Sequence, residues 1–87
     1  MLTNDIKKGM RVQLSNGWFG TMMDNMRGNT RMVEVEGIFT EIGSVYAHDI
    51  VAVIVNRSNL DTPEVIKVTH TAKQNDMREM LSFMDNL

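Results

Sequence analysis

His48-Asp49 is the one place in this chain where an imidazole and a carboxylate are neighbours, and Ser44 lies four residues upstream. Serine, histidine and aspartate can run acyl transfer when nucleophile, base and orienting acid converge in space. Adjacent side chains on an extended chain point to opposite faces, so this spacing does not itself assemble a triad, and Asp49 is expected to cap a turn. His70 stands alone, to cap the following helix or face solvent. With no cysteine and no His-x-His or helical i, i+4 pair, the usual ligand sets for zinc are missing. Gly17-Trp18-Phe19-Gly20 lacks the Lys-Ser/Thr and the following helix of a phosphate-binding loop. The expectation is a non-enzymatic protein with no catalytic residue, no metal site and no cofactor.

Two other sets of residues suit binding. Trp18 and Phe19 are neighbours in an extended stretch, so one side chain turns inward and the other toward solvent. Trp18 and Tyr46 form the expected aromatic platform, of a kind that takes peptides or stacked bases; the alternative for Trp18 is burial under the C-terminal segment or under Leu2 and Ile6. Phe19 and Phe39 are expected to pack. Lys7, Lys8, Arg11, Arg27 and Arg31 could gather as a basic edge for RNA. Against that stands the charge: nine basic and eleven acidic side chains give a net charge of −2, whereas nucleic-acid-binding domains carry a basic face.

The elements that must position these residues read mostly as strands. Eighty-seven residues make one domain, and a chain of this size buries only about 60% of its unfolded surface. Arg11-Val12-Gln13-Leu14 alternates polar and apolar, as a half-buried strand does. Asn16-Gly17 is the dipeptide favoured in two-residue type I′ hairpin turns. A second strand runs from about Trp18 to Asp24, where Gly20 marks a bulge or a close backbone approach. Residues 25–29 read as a turn. Thr30 to Glu36 alternates, with Val33 and Val35 on one face and Glu34 and Glu36 on the other. Gly37 either ends this strand or bends a longer one that runs to a turn at Glu41-Ile42-Gly43-Ser44; the longer arrangement is the expectation. Val45 to Ala47 then makes a short strand, and Ala47-His48-Asp49 a single helical turn.

Ile50-Val51-Ala52-Val53-Ile54-Val55 is apolar on both faces and needs cover on both. A polar loop at 56–63 leads to an edge strand over Val65 to Thr69. Thr71 and Gln74 have capping-box spacing, which starts a helix at Ala72. On that helix Met77, Met80, Leu81, Phe83, Met84 and Leu87 fall within an arc of roughly 160°. The expected arrangement has this helix as a lid on the Ile50–Val55 strand, within the chain or across a homo-oligomer. Nine methionines are many for this length; Met22, Met23, Met26, Met32 and the helix set are expected to share the core, since methionine fills irregular gaps.

Gly9, Val12, Leu14, Gly17, Gly20 and Met22 follow a pattern that resembles KOW-type and related SH3-like barrels: a Lys-Gly pair, an alternating strand, a glycine turn and a second strand after another glycine. The likeness covers residues 7–24 in detail and 30–55 as a compatible series of strands. It implies an antiparallel barrel of about five strands over residues 1–70, with an added edge strand and residues 71–87 as a helix of the same domain. Barrels of this kind bind RNA, ribosomes, RNA polymerase or protein tails. The Met-rich and Asn-rich style also resembles small bacteriophage accessory proteins.

The expected partner is therefore a protein, with RNA or a ribosome as the alternative and a nucleotide held between subunits as a third reading. No apolar run approaches the roughly 18 residues of a membrane span, and Met1–Asp5 lacks the basic and apolar pattern of a secretory leader. A cytoplasmic location and no membrane partner are expected.

Overall fold

The computed structural model describes residues 1–24, 30–55 and 62–85. The turn read at 25–29, the loop over 56–61, Arg27, Met26 and Leu87 lie outside them. Six strands, β1 (Arg11–Leu14), β2 (Phe19–Asp24), β3 (Thr30–Glu36), β4 (Thr40–Tyr46), β5 (Ile50–Val55) and β6 (Glu64–Lys67), are followed by one helix, α1 (Ala72–Asp85). All pairings are antiparallel, in one sheet of order β4-β3-β2-β1-β5-β6. Single 3-10 turns occupy Thr3–Asp5 and Ala47–Asp49.

Cross-strand partners share a face, so the register sorts the side chains. Val12 opposite Gly20 and Val53, and Met22 opposite Val33, point inward. Together with Ile6, Leu14, Ile50 and Val68 these apolar residues form the core. Arg11, Phe19, Glu34, Glu36 and Ile42 point outward. The sheet curls enough that Ser44–Tyr46 of β4 face Leu14 of β1, and Ser15 and Asn16 just after it, across a cavity. β5 joins this wall by pairing with β1, after the 3-10 turn has carried the chain over from β4.

The first hairpin is tighter in sequence than in geometry. Gly17 N–H bonds to the Leu14 carbonyl at 2.9 Å, and Leu14 N–H to the Trp18 carbonyl at 2.7 Å. Among the described residues only Gly9 and Gly17 have positive φ, both +90°. Asn16 therefore does not adopt the left-handed backbone that a type I′ turn demands. The connection is the three-residue kind, in which only the last position is left-handed. Asn16 instead caps the turn, its Oδ1 accepting from Trp18 N–H at 3.0 Å.

The second hairpin turns at Gly37-Ile38-Phe39, not at Gly43. β4 runs unbroken from Thr40 to Tyr46, in register from Glu36↔Thr40 to Thr30↔Tyr46. A Cβ on Gly37 would run into the six-membered ring of Trp18, so the chain reverses where only glycine leaves room for that ring. At Gly43, by contrast, a Cβ would meet nothing within 4 Å.

The helix begins as its capping box requires. Thr71 N–H donates to Gln74 Oε1 at 3.0 Å, and Gln74 N–H to Thr71 Oγ1 at 3.2 Å. It is not a lid on β5. The helix rests chiefly against the 3-10 turn Ala47–Asp49, and β5 is held between β1 and β6. Met77 and Leu81 are half-buried, while Met80, Phe83 and Met84 are 51%, 67% and 59% exposed. Of the methionines expected in the core, Met22 is fully enclosed, Met23 and Met32 are half-buried, and the helix set stays outside.

Since no helix residue belongs to the core, a chain ending at Thr71 is expected to keep a cooperatively folded sheet. Its melting temperature should fall through loss of cover over Ala47 and His48. A broad, non-cooperative transition of the shortened chain by circular dichroism would contradict this.

Candidate functional site

Trp18 and Tyr46 do not make one platform. Trp18 follows the β1–β2 connection and lies on Gly37, whereas Tyr46 closes the opposite end of the β3–β4 hairpin. Each anchors a different surface.

Around Trp18 the surface is apolar. Trp18 (46% exposed) lies on Gly37 of the hairpin turn, whose Ile38 (86%) and Phe39 (76%) are exposed; Ile42 (61%) is exposed on the outward face of β4, opposite Glu34. Phe39 therefore does not pack, contrary to the sequence expectation, because the turn lifts it off the sheet. Phe19 is 36% exposed and is covered by the Arg11 guanidinium, 5.0 Å from its ring centroid. Arg11 is fixed there by a bidentate pair with Glu36, at 2.9 and 2.7 Å; that bonding holds Glu36 below the ordinary carboxylate range and raises Arg11. On the outward face Glu34 is opposite Ile42 and Glu36 opposite Thr40, whereas Glu41 is opposite the inward-pointing Val35.

Of the described basic residues read from the sequence, Arg31 and Arg11 are taken up by contacts within the chain. Arg31 is 1% exposed, donating from Nη1 to the Thr30 carbonyl at 2.8 Å and from Nη2 to Asn4 Oδ1 at 2.6 Å. Burial pushes its pKa below the ordinary value. Arg11 is committed to Glu36. Lys7 and Lys8 are exposed at the approach to β1.

Around Tyr46 the surface is polar and concave. The Tyr46 ring stacks on His48, centroids 5.1 Å apart and planes 8° from parallel. His48 is 6% exposed because the 3-10 turn tucks it under α1. Its Nε2 lies 3.7 Å from Asp49 Oδ1, too far for a hydrogen bond. Asp49 instead fastens the β1–β2 connection: Ser15 Oγ donates to its Oδ1 at 3.2 Å, and Ser15 N–H to its carbonyl at 2.8 Å. That is the turn-capping role read from the sequence. His70 is half-buried and donates from Nε2 to the Ile50 carbonyl at 2.8 Å, so that carbonyl fixes its tautomer.

Two cavities meet at Tyr46 and Asp49. One, of about 410 Å³, lies between Leu14–Asn16 and Ser44–Tyr46. The other, of about 360 Å³, is closed by Arg78, Leu81 and Ser82 of the helix over His48. Sequence reading missed this cleft because Arg78 and Ser82 sit on the polar side of an amphipathic helix, with nothing local to mark them. Among the described residues no group of three or more His, Asp and Glu converges to hold a metal, and no helix is long and apolar enough to cross a membrane.

Burial of His48 makes stability pH-dependent. Desolvation lowers its pKa from 6.5, His70 and Arg78 lower it further, and Asp49 opposes them. The unfolded chain therefore takes up the proton more readily than the folded one. Stability is fully present above the unfolded value and is lost as pH falls through it toward the folded value. The melting temperature should drop between about pH 7 and 5, more steeply than that of a His48→Phe variant. Parallel profiles for the two proteins would contradict the assignment.

The chain matches no protein-family model, no curated protein and no solved structure.

Proposed function

We propose that the chain is a non-enzymatic protein-binding module with an SH3-like architecture, engaging its partner through the surface around Phe39. The strand order β4-β3-β2-β1-β5, the 3-10 turn between β4 and β5, and the curl of the sheet support the barrel reading. The observation that carries the function is the exposure of Ile38 and Phe39 at a hairpin turn against which the Trp18 ring lies, with Ile42 exposed farther along β4. Large apolar side chains left exposed at one turn of so small a chain mark an interaction site. Glu34, opposite Ile42 on the outward face, suits a partner with basic groups around an apolar centre and repels phosphate. With Arg31 buried and Arg11 paired, the RNA alternative loses two of the five residues of its basic edge. The uncovered helix residues Met80, Phe83 and Met84 support pairing of two chains through α1.

The test is a nuclease-treated pull-down from cells that express the gene, at low and high salt, with wild type and an Ile42→Lys/Phe39→Ser variant. A partner retained by wild type at both salt concentrations and lost by the variant is expected. Capture of nucleic acid that salt releases, as counterion release requires of phosphate contacts, would replace this reading with the RNA one.

A further inference from the structure

The cleft under Tyr46 is unrelated to the apolar surface, and its lining is chemically asymmetric. Tyr46, Asp49, Ser15 and Ser44 line the larger lobe, with no Lys or Arg among its lining residues. In the smaller lobe Arg78 and Ser82 face the same Tyr46 and Asp49. The ring is pre-positioned: one face is held by the stack on His48, and the side chain is still 40% exposed. A carboxylate has about four acceptor positions. Ser15 Oγ takes one of those on Asp49, leaving capacity for a ligand.

We propose that this cleft binds a guanine mononucleotide. The base stacks on the open side of Tyr46, its two adjacent N–H donors (N1 and N2) meet the Asp49 carboxylate, and its phosphate meets Arg78 and Ser82. Each group is matched to a part of the ligand. Stacked bases are held by aromatic side chains and read through hydrogen bonds on their edges. A carboxylate selects a base with paired donors, which guanine presents and adenine does not. Arginine binds a phosphate by a charge-assisted, bidentate contact. Arg78 is the one Lys or Arg lining either lobe, so a monophosphate fits the charge of the cleft better than a polyphosphate or an RNA backbone. The volumes, about 410 and 360 Å³, lie in the range of small-molecule sites.

The experiment is a titration of the full-length, isotope-labelled protein with GMP, AMP and inorganic phosphate, followed by amide chemical shifts. Saturable shifts at Ser15, Ser44–Asp49 and Arg78–Ser82 are expected with GMP, with AMP at least about tenfold weaker. Tyr46→Leu should weaken GMP by about tenfold or more, the effect of losing one stacked base. Asp49→Asn should erase most of the preference for GMP over AMP. The fold of each variant is checked in the same spectra. Equal affinity for GMP and AMP, inorganic phosphate binding as tightly as GMP, or no saturable shift up to about 10 mM would each overturn the proposal. None of these outcomes bears on the pull-down with the Ile42→Lys/Phe39→Ser variant, which tests a different surface.

Discussion

Replacing Arg31 by alanine should remove about 3–5 kcal/mol of stability, the range for truncating a large buried side chain. Small domains carry only about 5–15 kcal/mol in total, so this change alone brings the chain near unfolding. Arg31 is the largest fully enclosed side chain among the described residues. It lies on the inward face of β3, opposite Val45. Its Nη2 reaches Asn4 and so ties the N-terminal 3-10 turn to the far half of the sheet. Alanine loses the methylene stem, the guanidinium and that tie together. Arg31→Met separates volume from charge: a buried ionic group replaced by an apolar one of similar size is often neutral or better. Urea denaturation should therefore rank wild type and Arg31→Met close together, with Arg31→Ala far below. An alanine variant that melts within a degree or two of wild type would show that Arg31 is solvated.

Arg31 also shows what sequence reading can and cannot deliver here. Its parity was legible: positions 31, 33 and 35 share one face of an alternating strand, and Val33 and Val35 point inward. Read by residue type rather than by period, the same arginine looks like part of a basic edge. The signals that worked were local. The alternation of Arg11–Leu14, the capping box at Thr71 and Gln74, and the helical turn at Ala47–Asp49 each depend on neighbours within a few residues.

The signals that failed depend on distant contacts. Gly37 and Gly43 both interrupt an alternating pattern, and only the Trp18 ring lying on Gly37 decides between them. Asn16-Gly17 has the composition of a two-residue turn, but the bond from Leu14 N–H to the Trp18 carbonyl sets the longer connection. The apolar arc of the helix was visible, yet its resting place against Ala47–Asp49 rather than on β5 is a property of the assembled sheet. The cleft was invisible for the same reason. Tyr46, Asp49, Ser15 and Arg78 come from three separate segments, and the curl of the sheet and the docking of the helix bring them together.

A side chain at Gly20 should be among the most damaging single additions in the chain. A Cβ at this position would lie 2.6 Å from Val33 Cγ1 and 2.8 Å from the Glu34 carbonyl oxygen. The first contact could be relieved by a side-chain shift; the second is with backbone in a paired strand and cannot. Gly20 sits between Val12 of β1 and Val35 of β3, so any displacement is felt on both sides of β2. Overpacking of this kind costs about 1–3 kcal/mol, which is the expectation for Gly20→Ala; Gly20→Val, with two further methyl groups, should exceed it. Gly43→Ala is the control, since a Cβ there meets nothing within 4 Å, and its effect should stay within about 0.5 kcal/mol. Equal melting temperatures for Gly20→Ala and Gly43→Ala would refute the close approach of β2 and β3. If the approach is as tight as described, Gly20→Val should also perturb amide shifts at Ser15 and Tyr46. Both belong to the cleft walls, and a shift of β2 reaches them through its pairing with β1 and β3.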